Sequence, residues 1–387
     1  FLTTKIIKED NMLTEINKVS ILKKQLNLIS QSNLSDIQKI FYIIKLTKNL
    51  GTLPFSGLAR CAFISQRILL DLKELNLISN YEFNKFFNSI NSITNEFSKD
   101  FLKLKKKKIS KKTFMSKYGH LRPSTYDINS LNYSEGFKIY FSNKKNNNSL
   151  GVSKYIFKNF KKKDKINKLL IKYLKIDFNS FIKFATDSVY LREKSKLDFS
   201  RGINLIFENL ISLGKRLKIS RKDLSYIDLK TLLNAYSAVE IINLKKLLKN
   251  EISKNKFEFN IMKMIKMPDF IISDNDVYSF YNNISKANFI TLNSIVGDVV
   301  ELKKQDPRKL KGKILLIKNA DPGFDYIFNF EIKGLITQYG GANSHMAIRC
   351  LELNIPAAIG VGKFQYDKKK NTKKILLNCS KKRIETI

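Results

Sequence analysis

A multidomain chain, mostly α-helical over residues 1–285 and α/β over 286–387, is the fold class that three observations predict. The chain has 387 residues, more than one ordinary core holds, so at least two domains are expected. Apolar residues recur at helical spacing through the first part of the chain. From about Asn288 that period gives way to short β-type runs separated by turn residues.

Taken in order, "SDIQKIFYIIKLTKNLG" predicts a helix with Ser35 as its cap and Gly51 as its stop. "SGLARCAFISQRILLDLKELN" repeats that form from Ser56, and "YEFNKFFNSINSITNEFSKDFLKL" follows. A non-helical island rich in Gly, Pro, Ser and Asn spans Lys117 to Gly136, and "NNNSLG" at Asn146 to Gly151 reads as a second loop. The stretch from Phe178 to Leu217 and "YSAVEIINLKKLLKN" return to helix. The texture changes after "MPDFIISDNDVYSF", which sets a domain boundary near 286. Beyond it come "FITLNSIVGDVVEL", "KGKILLIKNA", "KGLITQYGG", "IPAAIGVG" and "KKILLNC" as strands, with "SHMAIRCLELN" as a helix among them.

Composition narrows the function classes. Hydrophobic content of 43% and charge of 27% are those of a globular chain. No apolar run is long enough for a transmembrane helix, and the start lacks both Met and a signal-peptide pattern. Three scattered cysteines give no disulfide or zinc framework, which fits a reducing, cytoplasmic setting with no metal site. The net charge of +37 resembles a nucleic-acid footprint. Yet only 10 of the 71 basic residues are Arg, and Lys, Asn and Ile abound as drift toward AT-rich codons would produce. The run "LKLKKKKISKK" at Leu102 to Lys112 therefore reads as a solvated helix end, and the Lys-dominated make-up of the charge weighs against a nucleic-acid partner. In so Lys-dominated a chain, a retained Arg points to a needed planar fork; Arg60, Arg122, Arg192, Arg201 and Arg349 all lie in motif-like surroundings.

The chain has two histidines, His120 and His345. "LITQYGG" predicts a strand ending in Gly340 and Gly341, with Ser344 at the N-cap and His345 in the first helical turn. Unpaired N–H groups and the positive dipole end meet there, an anion site that the two glycines let a phosphate approach closely. A neutral imidazole in that setting can attack a phosphoryl group. The plainer alternative is a histidine that only caps or packs. No P-loop pattern occurs in the chain.

The string from Thr337 to Gly360 resembles the phosphohistidine ("swivelling") domain of the phosphoenolpyruvate-utilising enzymes, with its T-x-x-G-G-x-x-S-H-x-A-I and E-x-G-I-P-A-x-x-G runs. Thr337, Gly340, Gly341, Ser344, His345, Ala347 and Ile348 supply the first, and Glu352, Ile355, Pro356, Ala357 and Gly360 the second. Asn354 replaces a glycine, a conservative change at a left-handed helix end. "GKILLIKNADPGFDYIF" resembles the D-P-x-x-x-x-x-F segment upstream. The resemblance covers 286–387 and implies that His345 carries the phosphoryl group, with Thr337, Gly340, Gly341 and Ser344 binding phosphate.

Only 42 residues follow His345, too few for the phosphoenolpyruvate-binding barrel of pyruvate phosphate dikinase or phosphoenolpyruvate synthase. The better match is the rifampicin-phosphotransferase-like order: ATP-grasp domain, helical acceptor-binding domain, histidine domain. "YGHLRPSTYDI" is similar to the Y-G-H-R-G-P-x-E-x-D-I stretch of such helical domains, though Arg122 falls one place late and Thr125 stands where Glu is usual. That resemblance implies a C-terminal part of a longer ATP-dependent phosphotransferase. ATP and Mg²⁺ would be bound by an ATP-grasp domain outside this chain, and residues 1–285 would bind a small-molecule acceptor around the loop 117–136. His120 would act as base on the acceptor hydroxyl, with Arg122 and Asp127 beside it and Arg192 and Arg201 as candidate phosphoryl clamps. Against these stand plainer readings: a loop histidine bonded to backbone, and arginines in structural ion pairs. Two other functions stay open, a non-catalytic phosphocarrier or interaction module and a polyanion-binding protein.

Overall fold

The structure, a computed structural model, describes residues 11–90, 93–141, 159–237, 241–265, 271, 273–277, 287–302, 310–342 and 344–387. It divides into two compact units, the first comprising Phe1–Leu121, Ser149–Ser220 and Asp228–Val239, the second Arg122–Asn148, Arg221–Ile227 and Glu240–Ile387.

The first unit is helical: α1 (Asn11–Gln31), α2 (Asp36–Thr47), α3 (Leu53–Glu74), α4 (Asn80–Ser89), α5 (Ile93–Lys105), α6 (Lys111–Tyr118), α7 (Lys163–Leu174) and α8 (Phe178–Leu217). Local chemistry sets their starts. Ser35 and Ser79 each form a capping box, with Gln38 and Glu82 reaching back to the cap N–H. The Asp177 carboxylate takes the N–H groups of Asn179 and Ser180 at the head of α8. That 40-residue helix is the spine against which α1, α2 and α3 pack. One core gathers Leu22, Leu26, Ile43 and Phe199; another runs from Leu69 and Phe86 to Phe181 and Ala185.

Gly51 does not stop a helix, and Ser56 does not cap one. A π-helical turn at Lys48–Thr52 carries α2 directly into α3, and the Ser56 hydroxyl donates back to Leu53 O inside the helix. Gly51 is there for contact: a Cβ would crowd Phe199 Cβ of α8 at 2.8 Å and Leu22 Cδ2 at 3.0 Å. Gly202 answers it on α8, where a Cβ would overlap Thr47. Tertiary packing overrides the local stop signal.

The second unit holds, among the described residues, a seven-stranded sheet in the order β1-β5-β4-β3-β2-β6-β7. The strands are β1 (Asn288–Ile290), β2 (Ser294–Glu301), β3 (Ile314–Asn319), β4 (Gly334–Tyr339), β5 (Ala357–Ile359), β6 (Lys374–Asn378) and β7 (Arg383–Thr386). The central β5-β4-β3-β2 pairs are parallel, and β1, β6 and β7 flank them antiparallel. The middle strands β3 and β4 read as continuous apolar runs because both their faces are covered. Helices α9 (Ile241–Met262), α10 (His345–Glu352) and α11 (Gly362–Lys370) belong to this unit. Tyr366 of α11 packs into the core made by Ile314, Leu316, Ile336 and Leu377.

The strands begin at Asn288, next to the expected boundary at 286, but the compact units divide the chain elsewhere. Arg122–Asn148, expected with the helical part, falls in the sheet unit. The island from Lys117 to Gly136 is largely turns after α6, and it is held by side chains. Arg122 and Arg221 both donate to Ser130 O, and Arg221 also pairs with Glu135. Most of "MPDFIISDNDVYSF", and all of "NNNSLG", lie outside the described residues. No described helix is long and apolar enough to cross a membrane.

Candidate functional site

The site is built at the carboxyl end of β4. Gly340 sits at φ 137°, where side chains are strained, and a Cβ there would press on Ala320 and Ile359. Gly360, at φ 73°, backs directly onto the Gly340 carbonyl, so the two turns need both glycines to meet. Thr337 is fully buried; its Oγ1 accepts the Gly360 N–H at 3.0 Å, tying β4 to the turn after β5. Around Gly341 a Cβ would meet nothing within 4 Å. Ser344 then caps α10, its hydroxyl accepting the Ala347 N–H at 3.3 Å, and Asn354 takes the left-handed conformation past the helix end at φ 53°. Thr337, Gly340, Gly341, Ser344 and His345 thus share one strand-turn-helix, with His345 the first helical residue.

A carboxylate absent from the sequence reading completes it. Asp325 stands in a 3₁₀ helix, Pro322–Phe330, and its Oδ1 lies 2.8 Å from His345 Nε2. Arg349 Nε lies 3.4 Å from the same oxygen, and Arg349 Nη1 is 2.7 Å from Glu352. Burial pushes the Asp325 carboxyl up, but the His345 and Arg349 charges outweigh it and hold it below its ordinary value. Burial pulls the Arg349 guanidinium down, and Asp325 with Glu352 more than restores it. Asp325 is therefore an anion. Its contact with His345 is one of distance, because Asp325 Oδ1 does not meet hydrogen-bond geometry with the ring. The signal available in the sequence was an Asp alone in the apolar run "GFDYIFNF", a carboxylate that must find a partner if buried.

The 3₁₀ helix is braced from residues 122–141. Asp321 caps it, accepting from Gly323 N at 2.9 Å and from the Thr125 hydroxyl. A Cβ on Gly323 would overlap the Arg122 carbonyl and the Pro123 Cα. Tyr133 is buried and donates its hydroxyl to Gly323 O at 2.9 Å, and the Tyr140 ring packs on Tyr326. Burial, with Asp325 nearby, holds the Tyr133 hydroxyl protonated by pushing its pKa far up.

The expected acceptor residues are each engaged separately. In the helical unit His120 Nε2 lies 2.8 Å from Leu197 O, and Arg201 donates to the carbonyls of Ser116 and Lys117. Both staple the end of α6 to α8. Arg192 pairs with Glu193 and lies over the Phe63 ring. In the sheet unit Arg122 is buried against Ser130 O, and the Asp127 carboxylate accepts the Asn129 N–H of its own turn. His120 falls in one unit, Arg122 and Asp127 in the other.

His345 thus starts a helix beside a glycine-lined turn, with the buried Asp325 carboxylate 2.8 Å from its ring. Residues 309–382 match the PEP-utilising enzyme mobile domain. The chain is also similar to the rifampicin phosphotransferases of Bacillus cereus, 30% identical over 133 residues, and Bacillus subtilis, 29% identical over the same length. In each case the match covers 32% of this chain and 15% of the relative.

Proposed function

We propose that the chain is the acceptor-side part of an ATP-dependent phosphotransferase in which His345 carries the phosphoryl group. In this reading an ATP-grasp domain outside these residues transfers a phosphoryl group from ATP, held with Mg²⁺, to a ring nitrogen of His345. AMP and inorganic phosphate are the other products, and the group then passes to a small-molecule acceptor. The observation that carries the reading is the His345–Asp325 pair at the mouth of a glycine-lined helix start. Oriented N–H groups there suit a phosphoryl oxygen, and the carboxylate suits the imidazolium character that phosphorylation brings. The matching mobile-domain family and the phosphotransferase relatives support it.

The natural full-length polypeptide, incubated with β-labelled ATP, is expected to take up an acid-labile, alkali-stable label that His345→Ala abolishes. Undiminished label in His345→Ala contradicts the carrier role. Label from phosphoramidate, a small chemical phosphoryl donor, but none from ATP contradicts the donor assignment alone.

A further inference from the structure

We propose that the C-terminal turns of α9 are a contact surface for an anionic lipid bilayer, an apolar edge that enters the headgroup region with lysines beside it. The inference is independent of the carrier reading of His345.

Helix α9 begins as an amphipathic helix. Leu244, Leu248 and Ile252, spaced four apart, are buried, so one face is already covered. Past Ile252 the pattern changes. Asn255 donates to Tyr226 O at 2.7 Å, Lys256 pairs with Asp223, and the Phe259 ring meets Tyr226 edge-on, which holds this stretch of the helix. Yet every residue from Lys256 to Ile265 is exposed. Six of them are large and apolar: Phe257, Phe259, Ile261, Met262, Met264 and Ile265, with Phe257 67% and Met264 85% exposed. No other stretch of the described residues gathers as many. At about 3.6 residues per turn, Phe257 and Ile261 share a side that faces away from the buried row. Apolar side chains exposed singly are ordinary, whereas a run like this marks a contact surface.

Charge and side-chain type select the occupant. A second copy would set lysines against lysines, since each chain carries +37 and Glu258 is the only acid between Lys256 and Ile265. Nucleic acid is held by arginine forks and stacked rings, and Ile261, Met262, Met264 and Ile265 offer neither. An anionic bilayer suits both parts of the patch. Phe, Ile and Met side chains enter the acyl boundary, and Lys254, Lys256 and Lys263 keep their charges among the headgroups. Lys263 already lies over the Phe259 ring at 4.4 Å, an apolar body with its cation beside it. Lysines cover the whole chain, so they supply attraction only; the apolar cluster fixes where contact is made. Such a helix end lies on a bilayer and does not span it.

The chain has no Trp, so Met264→Trp in residues 1–387 gives a single reporter. Vesicles of phosphatidylcholine with about one-third phosphatidylserine are expected to blue-shift its emission and to co-sediment the unaltered chain. Pure phosphatidylcholine vesicles are expected to bind at least about 10-fold more weakly. Phe257→Gln with Ile261→Gln is expected to weaken sedimentation at least about 10-fold, with the urea midpoint unchanged. Lys106→Glu with Lys108→Glu, on the lysine run after α5, is expected to weaken it less than about 3-fold. A Met264→Trp reporter whose emission does not move with anionic vesicles overturns the proposal, and that measurement needs neither double variant. So does an equal loss from the two double variants, which would leave only the general attraction of a basic chain to anionic vesicles. A dimer that Phe257→Gln with Ile261→Gln abolishes, without any vesicle binding, would give the patch to a second copy and overturn it as well.

Discussion

Two histidines, each with Nε2 2.8 Å from an oxygen, sit in regions that ask different things of them. His120 meets the carbonyl of Leu197, a neutral backbone acceptor on α8. That oxygen takes an N–H from the ring in either charge state, so the contact staples α6 to α8 and does little to the ring's reactivity. His345 meets a buried carboxylate that the His345 and Arg349 charges together hold below its ordinary value. That oxygen favours the cationic ring over the neutral one, which is what the proposed carrier role asks for. Scarcity drew attention to both residues; the partner, and not the rarity, separates the staple from the residue proposed as carrier.

The sharpest way to break the contrast is to strip the charge behind His345. Arg349→Met leaves the buried Asp325 and the half-buried Glu352 without their cation, and a loss of about 3–5 kcal/mol is expected, read as a lower urea midpoint of the full chain. An unchanged midpoint would mean that the pair is not desolvated as the structure has it. Gly323→Ala comes next, because a methyl group must displace the Arg122 backbone; about 1–3 kcal/mol is expected to go. The same substitution should broaden the His345 resonances, since Asp325 sits two residues along the same 3₁₀ helix.

Acid sharpens the comparison further. The folded Asp325 carboxyl titrates below its ordinary value, so its stabilisation is present above about pH 4 and lost as pH falls through the folded value. The stability gap between the unaltered protein and Asp325→Asn is therefore expected to shrink from pH 6 toward pH 3. A gap that grows on acidification contradicts the ionised carboxylate. The smallest effect belongs to His120→Ala: about 1 kcal/mol for one hydrogen bond to backbone, with phosphorylation of His345 by phosphoramidate unchanged.

What the sequence shows of this fold is what local chemistry decides. The 40 residues of α8, the Ser35 box, the Ser344 cap and the strand ending in Gly340 follow from period and capping within a few residues. The helix stop read at Gly51 fails because Phe199, far along the chain, presses on that glycine. Asp325 lies twenty residues before His345, on a different element, and nothing in either element's period announces the pairing. Residues 122–141 side with the sheet unit through Gly323, Thr125 and Tyr133, contacts that only a folded chain makes. The glycine turn and helix start are local and therefore readable; the Asp325 contact is assembled from afar.

Everything turns on which imidazole becomes covalently phosphorylated. Residues 1–387 treated with phosphoramidate, digested at alkaline pH and analysed by fragmentation mass spectrometry, give the answer in one experiment, with His345→Ala and His120→Ala run beside the unaltered chain. Phosphoryl on His345 in the unaltered and His120→Ala proteins, and none in His345→Ala, is the expected result. Phosphoryl on His120, or equal uptake by His345→Ala, would contradict it.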